Sequence, residues 1–136
     1  NIKNDAIDFS GSNVNVNNTY FDNINDKIVS AGENSKININ KIKGRNSYAG
    51  IISKDGSSVF SKNINFEDVK IPFAAYQKKN EYGYPLLEVK DYKLKNFLTK
   101  AIKDITANII AVDEILVMKS NKIISLIYEK NFSLVE

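Results

Sequence analysis

Apolar residues along the chain recur in two spacings at once, alternation over short runs and a longer return every 20-odd residues. Five stretches look alike: 6–12, 27–33, 50–56, 73–77 and 101–104. Ile7, Ile28, Ile51, Ala74 and Ile102 serve as first anchors, and Val14, Ile37, Val59, Leu87 and Ile109 as second anchors. From first to second anchor the hop varies between 7 and 13 residues, whereas from second anchor to the next first anchor it is 14, 14, 15 and 15. Variation confined to one side of a unit is the mark of a stacked coil in which one turn faces solvent and neighbours hold the rest. The second anchor opens an alternating run, as in Val14/Val16, Ile37/Ile39 and Leu87/Val89, and more weakly Val59/Ser61. Period two means strand. A further apolar pair follows in each unit, such as Ile64/Phe66 and Tyr92/Leu94.

Each unit therefore holds about three short strands in roughly 22 residues, which fits a triangular rung of a parallel β-helix. Asn23, Asn46, Asp68 and Asn96 each lie seven residues beyond Val16, Ile39, Ser61 and Val89. Asn and Asp tolerate a left-handed backbone and cap their own turns. In rungs about 4.8 Å apart, their side chains are also placed to bond along the stack. Leu94, Phe97, Leu98, Ala101, Ile102 and Ile105 have helical spacing as well, but the return of the Ile102-to-Ile109 hop favours another rung. Ile123, Ile124, Leu126 and Ile127 read as a last partial rung and 132–135 as a closing segment. The expected organisation is five to six rungs over 1–117, cut short at the N-terminus, and a C-terminal cap over 118–136.

Composition removes several chemistries. There is no Cys and no His, hence no disulfide, thiol nucleophile, Ser-His-Asp triad or His-Zn site. The net charge is +3, from 19 basic and 16 acidic residues spread along the chain, which does not argue for nucleic acid. No apolar run is long enough to span a membrane. Asn, Lys and Ile dominate and Arg45 is the sole arginine, the bias of an AT-rich coding sequence, which points to a bacterial source. The chain starts at Asn1 without a methionine or signal peptide, which suggests a processed protein or a fragment.

The inward aliphatics and turn asparagines over 1–117 resemble the right-handed parallel β-helix, the pectate-lyase-like architecture. More narrowly, the segments 26–35 (Asp26 to Ser35), 50–55 (Gly50 to Asp55) and 74–83 (Ala74 to Gly83) are similar to bacterial β-helix-repeat proteins, some of which accompany spore-coat-kinase-like proteins. The resemblance implies an extracellular or cell-surface setting and brings no established activity. The broad family holds polysaccharide lyases, hydrolases, epimerases and adhesins, so fold does not choose among them.

The variable turn is the candidate site. It carries Glu33, then Lys54 and Asp55, then Gln77, Lys78, Lys79, Glu81 and Tyr82, the last group in the longest turn, which ends Gly83-Tyr84-Pro85. An aromatic ring covers the apolar face of a sugar while amides and charges take its hydroxyls, and an acidic sugar adds carboxylate pairing to Lys54 or Lys78. The same charges on adjacent rungs also serve as a solvated ladder. A lyase needs a base and a cation on the substrate carboxylate, for which Ca²⁺ held by aspartates would serve; Asp8, Asp26, Asp55 and Asp68 fall on different sides of the rung. A hydrolase needs two facing carboxylates, such as Glu33 and Asp55. Asn17-Asn18-Thr19 and Asn131-Phe132-Ser133 match the glycosylation pattern, a frequent accident in an Asn-rich chain.

These features point to a non-catalytic or accessory β-helix domain with a glycan- or partner-facing surface and no cofactor. The alternatives are a carbohydrate-active enzyme fragment with its catalytic rungs elsewhere, and a pure assembly module. Strict alternation from inward Ile28, Ile51 and Ala74 sends Val29, Ile52 and Ala75 outward as an apolar stripe. This stripe is a candidate interface, with several outcomes open: a cover from the C-terminal residues Leu126, Ile127, Phe132 and Leu134 or from a missing N-terminal part of the parent protein, self-association or a partner, or bare exposure.

Overall fold

The computed structural model describes residues 3–135. The chain forms a parallel β-solenoid of about five turns. Its strands are β1 (Ile7–Ser10), β2 (Asn13–Asp22), β3 (Lys27–Gly32), β4 (Lys36–Lys54), β5 (Ser58–Tyr76), β6 (Leu86–Lys95), β7 (Ala101–Lys103), β8 (Asn108–Ile110) and β9 (Ile115–Val117). Every pairing between them is parallel. The long strands bend around corners, so each turn contributes to three faces. The first face stacks β1, β3, the ends of β4 and β5, then β7 and β9. The second face stacks Val14, Ile37, Val59, Leu87 and Ile109 in register, the series read from sequence as second anchors. The third stacks 19–22, 42–45, 64–67 and 92–95.

The corners explain why the repeat is legible. Asn23, Asn46, Asp68 and Asn96 all have positive φ, between 52° and 58°, where Asn and Asp are tolerated better than residues with bulky or branched side chains. A second left-handed set, Asn18, Lys41, Asn63 and Asp91, marks the corner between the second and third faces; it escapes a search for Asn and Asp because Lys41 stands in it. Bonding along the stack is less regular than expected. Asn46 donates to Asp22 at 3.2 Å and Asn63 to Asn40 at 2.9 Å, each one column aside from its own corner series. Serines line the corner between the first and second faces, where the Ser12 amide donates to the Ser35 hydroxyl and the Ser35 amide to that of Ser57, both at 3.1 Å.

The core runs up the inside of the coil, with Ile28, Ile37, Ile51, Ile64, Phe66, Phe73 and Leu87 almost wholly buried. Each such side chain contributes about 1.5–3 kcal/mol by leaving water. Phe66 packs on Phe73 at 6.0 Å, and Phe73 on Tyr92 at 5.6 Å. Room for Phe66 comes from glycines: a Cβ at Gly44 would lie 3.0 Å from the ring, and one at Gly50 would lie 2.5 Å from it and 2.2 Å from the Pro72 carbonyl.

Gly50 also marks where strict alternation fails. Gly50 and Ile51 both face the core, and one turn earlier so do Ile28 and Val29. The register is accordingly Ile7–Val29–Ile51–Phe73–Ala101, so Ile28, Ala74 and Ile102 are each one position away from the aligned column. The outward series becomes Ser30, Ile52, Ala74 and Ile102. Val29 and Ala75, expected on the outer stripe, lie inside, while Ile52 does face outward.

The segment expected as a last partial rung is instead a helix, α1 (Ser120–Tyr128), followed by a short 3-10 turn at Phe132–Leu134. Ile123, Leu126 and Ile127 are spaced i, i+3, i+4, which aligns them on one helical face. They are buried against Ile52, Ala74, Ile102, Ala49 and Ile71. The helix covers a side of the solenoid, not its end. Residues 101–105, which also have helical spacing, form strand β7 and its turn.

Candidate functional site

The long turn brings together the residues singled out from sequence, but most of their polar groups are occupied by the chain itself. Asp55 is buried and its Oδ1 accepts the backbone amides of Lys78 and Lys79, at 2.6 and 2.7 Å. Asp104 does the same one turn on, accepting from the Gln77 amide at 3.0 Å and from the Thr106 amide at 3.0 Å. These carboxylates fold the turn. The Gln77 side-chain amide donates to the Tyr82 carbonyl at 2.8 Å, bracing the loop from within. Glu33 accepts from Ser10 and from the Lys79 ammonium; the bond from Lys79 and that from Ser10 hold its carboxyl below the usual range, and the same contact raises Lys79. Glu81 is exposed and Tyr82 half-buried.

Lys54 and Lys78 turn the other way, toward the last residue of α1. The Lys78, Lys27 and Lys54 ammoniums lie 4.1, 4.6 and 5.9 Å from the centre of the Tyr128 ring, within reach of the ring quadrupole. The hydroxyls of Tyr128 and Tyr76 are 2.8 Å apart. Lys27 is buried and bridges Asp5 at 3.2 Å and Asp26 at 3.0 Å. Burial acts to lower its pKa, but the charge of Asp5 and the bond to Asp26 outweigh it and the net shift is upward. Burial, followed by the neighbouring Tyr128, pushes the Tyr76 hydroxyl well above its ordinary value. Tyr48 makes a parallel contact, donating to the Leu126 carbonyl; burial and then Asp26 raise it to about 12. This cluster fastens the helix to the first face. Sequence reasoning missed it because its members run from Asp5 to Tyr128 and no local spacing connects them.

The second face has a different character. Its outward columns are Asn15, Asn38, Phe60, Glu88 and the exposed Ile110, and beside them Asn17, Asn40, Lys62 and Lys90. Phe60 is half-buried in a shallow groove among Asn38, Asn40, Lys62 and Glu88. The alternation of 36–40 and 58–62 was a signal for these positions, since it dictates which side chains point outward. A second hollow lies at the corner beside the helix, among Asp68, Lys70, Asn96, Phe97, Leu98 and Phe132.

Among the described residues, no three Asp or Glu side chains gather closely enough to hold a metal ion, and no helix is long and apolar enough to cross a membrane. Comparison with protein families, with curated proteins and with solved structures found no match to this chain.

Proposed function

We infer that the chain is a non-catalytic, accessory β-solenoid domain of a bacterial exported or cell-surface protein, of the pectate-lyase-like kind, and that it presents a glycan-facing surface. One observation carries the reading, the division of its polar groups. The carboxylates that a hydrolase or lyase would use are committed to the chain's own turn, Asp55 and Asp104 to backbone amides and Glu33 to Lys79 and Ser10. Open amide and lysine side chains lie in columns on a sheet face instead. Rigid columns of donors and acceptors suit a repeating ligand, because they cost little ordering on binding.

The test is to incubate the protein with acidic and neutral polysaccharides, with and without Ca²⁺. Retention on a polysaccharide without new reducing ends or unsaturated products is the expected result. Product formation that survives purification and is lost in Glu33→Gln would overturn the non-catalytic reading in favour of an enzyme fragment.

A further inference from the structure

The last turn of the solenoid is cut short. From Ile109 to Ile115 the chain takes 6 residues, where one turn earlier Leu87 to Ala101 takes 14. Segment 111–114 skips the third face and crosses the end of the core, with Val112 packed into it and Asp113 held by Lys100 at 3.1 Å. The chain then forms β9 and leaves for α1, which packs on the side. The interior is closed in this way, but the edge of the first face is not. Among the described residues β9 pairs with β7 and with no other strand.

That edge is unusually bare. The Met118 amide donates to the Lys103 carbonyl at 2.9 Å, and Leu116 registers with Ile102. Alternate residues of a strand turn their backbone groups to opposite sides. Leu116 and Met118 therefore bond toward β7, and the amides and carbonyls of Ile115 and Val117 point into the open edge. Edge strands are normally guarded by Pro, an inner charge or a bulge. β9 reads Ile-Leu-Val and has only its shortness as a guard. Around it Ile105 is 86% exposed, Val117 53% and Leu116 39%.

The residues flanking β9 show what fits there. Asp113 and Glu114 precede the strand and Lys119 follows it, so its charge order is complementary to itself when reversed. Lys119 makes no ion pair among the described residues. An antiparallel pairing centred on Leu116 sets Ile115 of each copy opposite Val117 of the other. Those are the residues whose backbone groups are open, and each such pair exchanges both N–H···O bonds. The same register brings Asp113 of each copy opposite Lys119 of the other and Leu116 opposite its equivalent, extending the outward column Ile52, Ala74, Ile102, Leu116. A head-to-tail stack fits worse. It would set β9 on β1 of the next copy and bring the charge of Asp8, which heads that outward column, against Leu116.

We propose that β9 is the edge at which two copies of this chain join, antiparallel about a two-fold axis at Leu116. The contact is isologous and closes on itself, so association stops at the dimer.

The experiment is sedimentation equilibrium of the whole chain at concentrations up to about 1 mM, where even weak contacts are populated. A monomer–dimer equilibrium is expected. Val117→Pro should shift it to monomer with an unchanged melting midpoint in dilute solution, since the amide it removes bonds nothing within the chain. Lys119→Glu and Asp113→Lys should each weaken the dimer about tenfold. An equimolar mixture of the two variants should recover it, because each charge then meets its opposite across the axis. A wild-type chain that stays monomeric throughout would overturn the proposal. Dimers that ignore Val117→Pro would overturn the placement at β9. Growth beyond the dimer would overturn the two-fold in favour of a head-to-tail stack. Failure of the mixture to recover association would overturn the register.

Discussion

The first and second faces of the solenoid are built from the same kind of coil and have opposite outer surfaces. Ile52, Ala74 and Ile102 on the first face are wholly buried beneath α1, whereas the outward residues of the second are mostly amides and charges, with half-buried Phe60 and exposed Ile110 among them. Inward, the two are alike, with aliphatic columns one strand apart. The stacked core thus specifies the coil, and the outer positions decide what each face does. An apolar outer column recruits the chain's own helix. A polar one is left for something else.

The largest effect expected on this comparison comes from Ile52→Lys. It puts a charge under Leu126 and Ile127 with no partner, and should cost several kcal/mol. Chemical denaturation would show the loss; a change below about 0.5 kcal/mol would mean that the helix does not hold this face.

Next comes pH. Tyr48 is raised from 10 to about 12 in the folded chain, chiefly by burial. A raised pKa means that the folded state keeps its proton while the unfolded state loses it. The contribution is therefore complete below pH 10 and disappears as pH climbs from 10 to 12, a loss on the order of 2 kcal/mol. The Tyr76 hydroxyl, also raised, adds to the loss in the alkaline range. Melting followed by circular dichroism between pH 8 and 12 should show the drop, smaller in Tyr48→Phe. A titration that is the same in both would separate Tyr48 from the helix latch.

A corner substitution should cost less. Asn46 is exposed and has φ 52°, so Asn46→Val forces a β-branched residue into the left-handed region for about 1–2 kcal/mol. An unchanged midpoint would mean that the corner relaxes freely.

The smallest effect belongs to the open face. Asn38→Lys, in the register position that Ile52 holds on the covered face, should stay within about 0.5 kcal/mol in stability. The contrast between this variant and Ile52→Lys is the sharpest measure of the difference between the two faces. Equal costs would mean that the second face is covered too.

Much of this architecture is legible in the chain because a solenoid repeats its local requirements. Each turn needs aliphatics at alternate positions and a residue that tolerates positive φ at the corner, so Val14, Ile37, Val59, Leu87 and Ile109, and the corner residues Asn23, Asn46, Asp68 and Asn96, can be found by counting. Counting fails at Ile28–Val29, where two successive residues face inward, and at Phe73–Ala74, where the inward column passes through Phe73, because alternation carries no record of a local break. Those slips move the outer column from Val29 and Ala75 to Ser30 and Ala74. The helix at 120–128 was misread for a related reason: four aliphatics in five residues fit either a buried strand or a helical face, and only the apolar surface it meets selects the helix. The candidate turn was visible as a cluster of polar residues, but not that Asp55 and Asp104 point into it to bind amides. Those contacts and the Tyr128 latch join residues from separate turns. Spacing along the chain determines which residues repeat; which distant side chains meet depends on how the turns stack and where the C-terminal helix packs, and that belongs to the tertiary structure alone.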